Sequence, residues 1–210
     1  MRNAVDRFLQ YLRVERNASQ LTTKSYREDL EALSEYLADT QGRLPAPAEV
    51  GTVELRGYVA ALHEAGYAKS TIARRLASLR SFYRFGQREG WTKANPAKPL
   101  RNPRKSRSLP HFLSSDDIER LLGAPPSSDI MGLRDRAILE VLYSAGLRVS
   151  ELAGLNATDL DFAGGTVRVR GKGRRERIAP IGSYAVRALQ EWLAVRRVSA
   201  REKGGANGPV

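Results

Sequence analysis

Residues 96–112 rule out one continuous core. The run Pro96-Ala97-Lys98-Pro99-Leu100-Arg101-Asn102-Pro103-Arg104-Lys105-Ser106-Arg107-Ser108-Leu109-Pro110 holds four prolines and no apolar periodicity. Proline breaks helix interiors and removes a donor from a central strand. The segment therefore reads as an extended linker. The expected organisation is a helical domain over 1–95, a basic linker over 96–112 and a second domain over 113–210. The linker carries Lys98, Arg101, Arg104, Lys105 and Arg107 without one acid. A merely solvated spacer more often mixes its signs, so Arg104, Lys105 and their neighbours are expected along a phosphate backbone. The whole chain shares the bias, with 35 Lys+Arg against 23 Asp+Glu and a net charge of +12 over 210 residues. A polyanionic partner is implied.

The same composition closes other routes. There is no cysteine, which removes disulfides, thiol nucleophiles and Cys-based metal sites. The two histidines, His63 and His111, have no spacing that pairs them. No metal and no cofactor are expected. The charged start, Met1-Arg2-Asn3-Ala4-Val5-Asp6-Arg7, leads into no long apolar run, so neither a signal peptide nor a membrane span is expected. The expected location is the cytoplasm, at the nucleoid.

Helical periodicity dominates the first domain. Val5, Phe8, Leu9 and Leu12 share one face. Ser19 or Thr22 can cap a second helix to about Leu37, with Tyr26, Leu30, Leu33 and Leu37 as its stripe. A third helix is expected from Thr52 to about Ala65, stopped by Gly66. A fourth should run from Ser70 to Arg88 and stop at Gly90. On that fourth helix Ile72, Leu76, Leu79 and Tyr83 form the buried stripe. Ser70, Arg74, Ser81, Arg84 and Arg88 fall opposite. An ordinary solvated face and a DNA-backbone contact are both open for this cationic side. Thr22, Thr23, Lys24 and Arg27 offer a second set of phosphate donors at a helix start.

The pattern changes in the second domain. Ser114–Asp117 is a capping signature. Arg134–Tyr143 is strongly apolar and ends near Gly146, and Leu147–Leu152 restarts a helix that stops at Gly154. Then period two takes over in Leu160–Phe162, Thr166–Arg170 and Glu176–Ile181, which predicts a small antiparallel sheet. Lys172 stands between two glycines at a hairpin tip, and Arg174 and Arg177 are expected against DNA beside it. A last amphipathic helix should run from Tyr184 to about Ala200.

Two motifs, Ser144-Ala145-Gly146-Leu147-Arg148-Val149-Ser150-Glu151-Leu152 and then Gly171-Lys172-Gly173-Arg174-Arg175-Glu176-Arg177, resemble the tyrosine recombinases of the phage integrase superfamily. The whole pattern is similar to the bacterial Xer type. Ser70–Tyr83 resembles the family as well, and the likeness spans nearly all 210 residues. It implies a multidomain α and α+β protein: a SAM-like four-helix core-binding domain, then a truncated α+β catalytic domain with a small antiparallel sheet. It also implies site-specific DNA recombination through a 3′-phosphotyrosyl intermediate, with chromosome dimer resolution at cell division as the setting. Arg148 becomes the first catalytic arginine, Lys172 the hairpin lysine and Glu151 the support of the arginine helix. The implied partners are double-stranded DNA and sister recombinase subunits, four on two duplexes in the complete enzyme.

Chemistry without a metal gives those residue types a reason. A phosphodiester under attack gathers charge on its non-bridging oxygens, and protein cations must carry it. Arginine's planar fork holds two oxygens and stays charged. A lysine can instead hand a proton to the leaving 5′-oxygen, because its ammonium can let one go. The family's His-x-x-Arg motif and later nucleophilic Tyr have no match within these 210 residues. The expectation is a truncated chain that binds DNA without cutting it. A phage or transposon integrase and a non-catalytic DNA-binding protein stand as alternatives.

Overall fold

A computed structural model of the protein describes residues 1–104, 112–171 and 176–202, with backbone alone beyond 196. The chain divides into two compact units, Met1–Leu109 and Pro110–Val210.

In the first unit four helices follow one another: α1 Arg2–Val14, α2 Gln20–Gln41, α3 Thr52–Glu64 and α4 Lys69–Arg88. α1 buries Val5, Phe8, Leu9 and Leu12, as its periodicity predicts. Ser19, not Thr22, caps α2: the Thr22 amide donates to its hydroxyl oxygen at 3.2 Å. That helix runs past Leu37 to Gly42, which ends it with φ 67° in the left-handed region. The leucine stripe stops earlier than the helix because Asp39, Thr40 and Gln41 of the last turn are exposed.

α4 buries a wider arc than its Ile72–Tyr83 stripe suggests. Phe82 and Phe85 are buried too. They close an aromatic cluster with Phe8, whose ring centroid lies 5.6 Å from Phe82 and 5.5 Å from Phe85. Tyr11 stacks on Phe85 at 4.7 Å, and Trp91 meets Phe85 edge-on at 5.2 Å. Full burial of each such side chain contributes about 1.5–3 kcal/mol.

The segment read as a linker does not leave this unit at residue 96. Ala97 and Leu100 are buried in its core. The Leu100 amide donates to the Ala97 carbonyl, so the chain turns here and is not extended. Arg80 donates to the Leu100 carbonyl at 2.6 Å and to Asn102 Oδ1 at 3.0 Å, and Thr52 donates to the Pro96 carbonyl at 3.0 Å. Prolines suit such a turn, and two small apolar anchors three positions apart fill gaps that a periodicity scan does not register.

The second unit holds α5 Ser115–Gly123, α6 Ile130–Ala145, α7 Val149–Ala153, β1 Leu160–Asp161, β2 Thr166–Arg170, β3 Glu176–Pro180 and α8 Ser183–Glu202. Ser114 and Asp117 cap α5 reciprocally. Asp129 caps α6, accepting from the Gly132 amide at 2.6 Å, so that helix starts ahead of the Arg134 that the apolar pattern marks. Gly146, at φ 57°, ends it. The strands form one antiparallel sheet in the order β1-β2-β3. Val167 faces Ala179, and Val169 faces Arg177, across β2 and β3. Val167, Val169 and Ala179 cover one face with Ala137 and Val141 of α6 and Ala185 and Leu189 of α8. No helix among the described residues is long and apolar enough to cross a membrane.

Candidate functional site

Gly146 lets the backbone turn out of α6, Leu147 anchors it in the core, and Arg148 then stands directly before α7. Its backbone N–H donates to Glu151 Oε2 at 2.9 Å, and its guanidinium Nη1 donates to Glu151 Oε1 at 2.8 Å. A second guanidinium reaches the same carboxylate from the sheet, with Arg177 Nη2 to Glu151 Oε2 at 2.9 Å. The Glu151 side chain is only 2% exposed, while Arg148 remains 70% and Arg177 43% exposed. A buried anion thus holds two cations by one edge each and leaves their other N–H groups facing solvent. The Arg148 backbone N–H is the foremost cause that keeps the Glu151 carboxyl below its ordinary range; the two guanidiniums add to it, against the opposing pull of burial.

Beside the expected place of Arg177 against DNA, the strand register gives it a neighbour within the fold. Period two puts residue 177 on the face of Val169 and Ala179, at the rim of the core. There a guanidinium needs an anionic partner, and Glu151 is that partner. Arg168 and Arg170, on the opposite face, pair with Asp159 at 3.7 Å and Glu176 at 3.0 Å. Lys172 and Arg174 lie outside the described residues, as does Lys105. Arg104 is exposed.

On the first unit the sequence-selected residues fall into two groups. Ser70 and Arg84 are exposed on α4, and Arg84 makes no ion pair with any described residue. Arg74 is different. Its Nη1 donates at 2.5 Å to Asp29 Oδ2 from α2, a carboxylate only 1% exposed, while Arg74 itself stays 47% exposed. Ser78 also donates to Asp29 Oδ2, at 2.6 Å. Arg75 lies 3.8 Å from Asp29 and 14% exposed, bonded to the Tyr58 hydroxyl. Residues 74 and 85 are eleven apart, about 20° round a helix, so Arg74 borders the buried arc that Phe85 extends. Arg88 likewise lies over Tyr11 and pairs with Glu15 at 3.3 Å.

The second donor set is partly spent inside the fold. Thr23 is buried, and its hydroxyl donates to the Ser19 carbonyl, so it does not face outward as expected. Thr22 is exposed and shares its hydroxyl with Ser19 at 2.9 Å. Lys24 and Arg27 are exposed, near Glu28 at 3.9 Å and Asp6 at 3.6 Å. Sequence reasoning missed Asp29. Its signal is its place: three residues after Tyr26 and four before Leu33, it falls inside the buried stripe of α2.

Comparison with known proteins gives this arrangement its setting. Residues 5–90 match the family described as "Phage integrase, N-terminal SAM-like domain", and residues 111–206 match the "Phage integrase family". The chain belongs to the phage integrase family. It is of the Xer type within the tyrosine recombinases. The tyrosine recombinase XerC of Pelotomaculum thermopropionicum is 45% identical over 196 residues, covering 92% of this chain and 64% of the relative. XerC of Oceanobacillus iheyensis is 40% identical over 203 residues, covering 97% and 66%. The chain thus spans just under two thirds of the length of these curated relatives. Among solved phage integrase structures, a lambda integrase(75–356) dimer bound to a COC′ core site superposes with a TM-score of 0.71 at 20% identity, covering 91% of this chain and 68% of that one. A lambda integrase tetramer bound to a Holliday junction gives 0.70 at 19%, covering 94% and 56%. At those identities the likeness is one of fold.

Proposed function

We propose that this protein breaks and rejoins DNA at specific sites through a 3′-phosphotyrosyl intermediate, in the resolution of chromosome dimers at cell division. These 210 residues supply its DNA grip and its first catalytic arginine. The observation that carries the reading is the Glu151 carboxylate, which holds Arg148 by its backbone and by one guanidinium edge. The free edge is oriented before any phosphate arrives, and a charge placed in advance costs no reorganisation as the pentacoordinate phosphorane forms. In comparable phosphoryl transfers one such arginine is worth on the order of 10³–10⁵ in rate. Lys172 serves as the acid for the leaving 5′-oxygen. Ser70, Arg84, Thr22, Lys24 and Arg104 grip the backbone at the rim. The solved relatives bound to a core site and to a Holliday junction support DNA as the partner and four sister subunits as the working assembly. The work is done on the chromosome, in the cytoplasm.

A nicked suicide substrate tests the reading. The 210-residue chain is expected to shift the DNA with a salt-dependent affinity and to form no covalent adduct. An adduct would expose a nucleophile among its eight tyrosines and overturn the assignment of the grip alone to these residues. Absence of DNA binding at low salt would overturn the whole proposal.

A further inference from the structure

We propose that Arg177 is a positioning residue, which locks the Glu151 carboxylate and through it fixes Arg148, and is not itself a phosphate contact. The inference rests on the role given to Arg148 above. Three observations carry it. First, the register pairs Arg177 with Val169 on the core-facing side of the hairpin, so its stem covers apolar surface and its head emerges at the rim. Second, that head donates to Glu151 Oε2, the same oxygen that accepts the Arg148 backbone N–H, while Oε1 takes the Arg148 guanidinium. Third, Glu151 is almost wholly buried, so its rotamer is set by these three donors and not by water. Without Arg177, Oε2 keeps a single donor, and the carboxylate can rotate and release the Arg148 fork.

The consequence reaches further than one hydrogen bond. β3 belongs to the hairpin whose connecting sequence contains Lys172. A shared carboxylate therefore couples the strand after that lysine to the segment that presents Arg148. A movement of the hairpin that pulls Arg177 off Glu151 would loosen Arg148 at the same time.

The experiment uses the 210-residue chain and two readouts. One is the salt dependence of its affinity for duplex DNA. The other is the ¹⁵N relaxation of the Arg148 Nε–H group in the free protein. Arg177→Gln is expected to leave the slope of log K against log salt unchanged and to abolish the order of the Arg148 side chain. Arg177→Lys, which keeps a charged donor near the carboxylate, should restore part of that order and guards against a folding artefact. A slope reduced by about 1 in Arg177→Gln marks a phosphate contact and overturns the proposal. So does an Arg148 side chain that stays as ordered as in the parent. The relaxation arm needs no DNA, so it decides the inference even if the reading of the chain as a DNA-binding recombinase fails.

Discussion

Arg148, at the start of α7, and Arg177, on β3, close on the two oxygens of one buried carboxylate. The former donates to Glu151 Oε1 at 2.8 Å, the latter to Oε2 at 2.9 Å. Two like charges this near each other are stable only because the anion lies between them.

That arrangement makes stability depend on pH with a defined sign. The Glu151 carboxyl is held below its ordinary value of 4.5, first by the Arg148 backbone N–H. The unfolded chain therefore binds a proton more readily than the native one. The stabilisation is fully present above 4.5 and is lost as the pH falls through the lowered native value. Glu151→Gln lacks it. The gap in denaturant midpoint between parent and variant should stay constant at neutral pH and close on acidification. Asp117 and Asp159, which are also lowered, are common to both proteins and cancel. A gap that widens in acid would contradict the assignment.

Arg84 and Arg74 should behave differently in DNA binding although they share a helix. Arg84 has no ion-pair partner among the described residues and can give its charge to a phosphate; Arg84→Ala should lower the salt slope by about 1. Arg74 must share its charge with Asp29, so Arg74→Ala should lower the slope by less. Slopes unchanged from the parent in both variants would place the outer face of α4 away from DNA.

Removing Asp29 should act on folding first. Asp29→Ala leaves Ser78 without its acceptor and Arg75 without its anion, both largely inside the fold, while the more exposed Arg74 rehydrates. Breaking a buried pair from one side costs about 3 kcal/mol. Urea unfolding can be followed through Trp91, with Trp192→Phe removing the other of the two tryptophans. A loss below about 1 kcal/mol would show that water takes over the carboxylate's role.

Period and capping made most of the fold legible in the sequence. The stripe Val5, Phe8, Leu9, Leu12 is the buried face of α1, and the alternation Val167, Val169, Ala179 is the inner face of the sheet. What escaped was charge placed inside an apolar pattern. Asp29 and Arg177 both sit on inward-facing positions, yet charged side chains are read as solvent-facing by default. Their inward-facing places depend on a partner from another element, Arg74 for one and Glu151 for the other, and a single element's periodicity cannot supply that partner. Ala97 and Leu100 escaped for a related reason: a turn between prolines has no period at all. Glu151 was legible only through the motif that contains it, and its second cation was not.

A glycine gives the last test. Gly132 opens the first turn of α6, and a Cβ built on it would run into the carbonyl oxygen and carbon of Pro126. The obstacle is backbone, which cannot swing aside as a side-chain tip can. The Pro126 loop must therefore move away, and the Asp129 cap, which accepts from the Gly132 amide, is strained with it. Gly132→Ala gains helix propensity of at most about 1 kcal/mol, but overpacking of this kind costs about 1–3 kcal/mol. The net expectation is destabilisation of the second unit, seen as an earlier unfolding transition by Trp192. A variant as stable as the parent would mean that the loop before α6 yields freely, and that α6 is positioned by its packing on α8 and not by its cap.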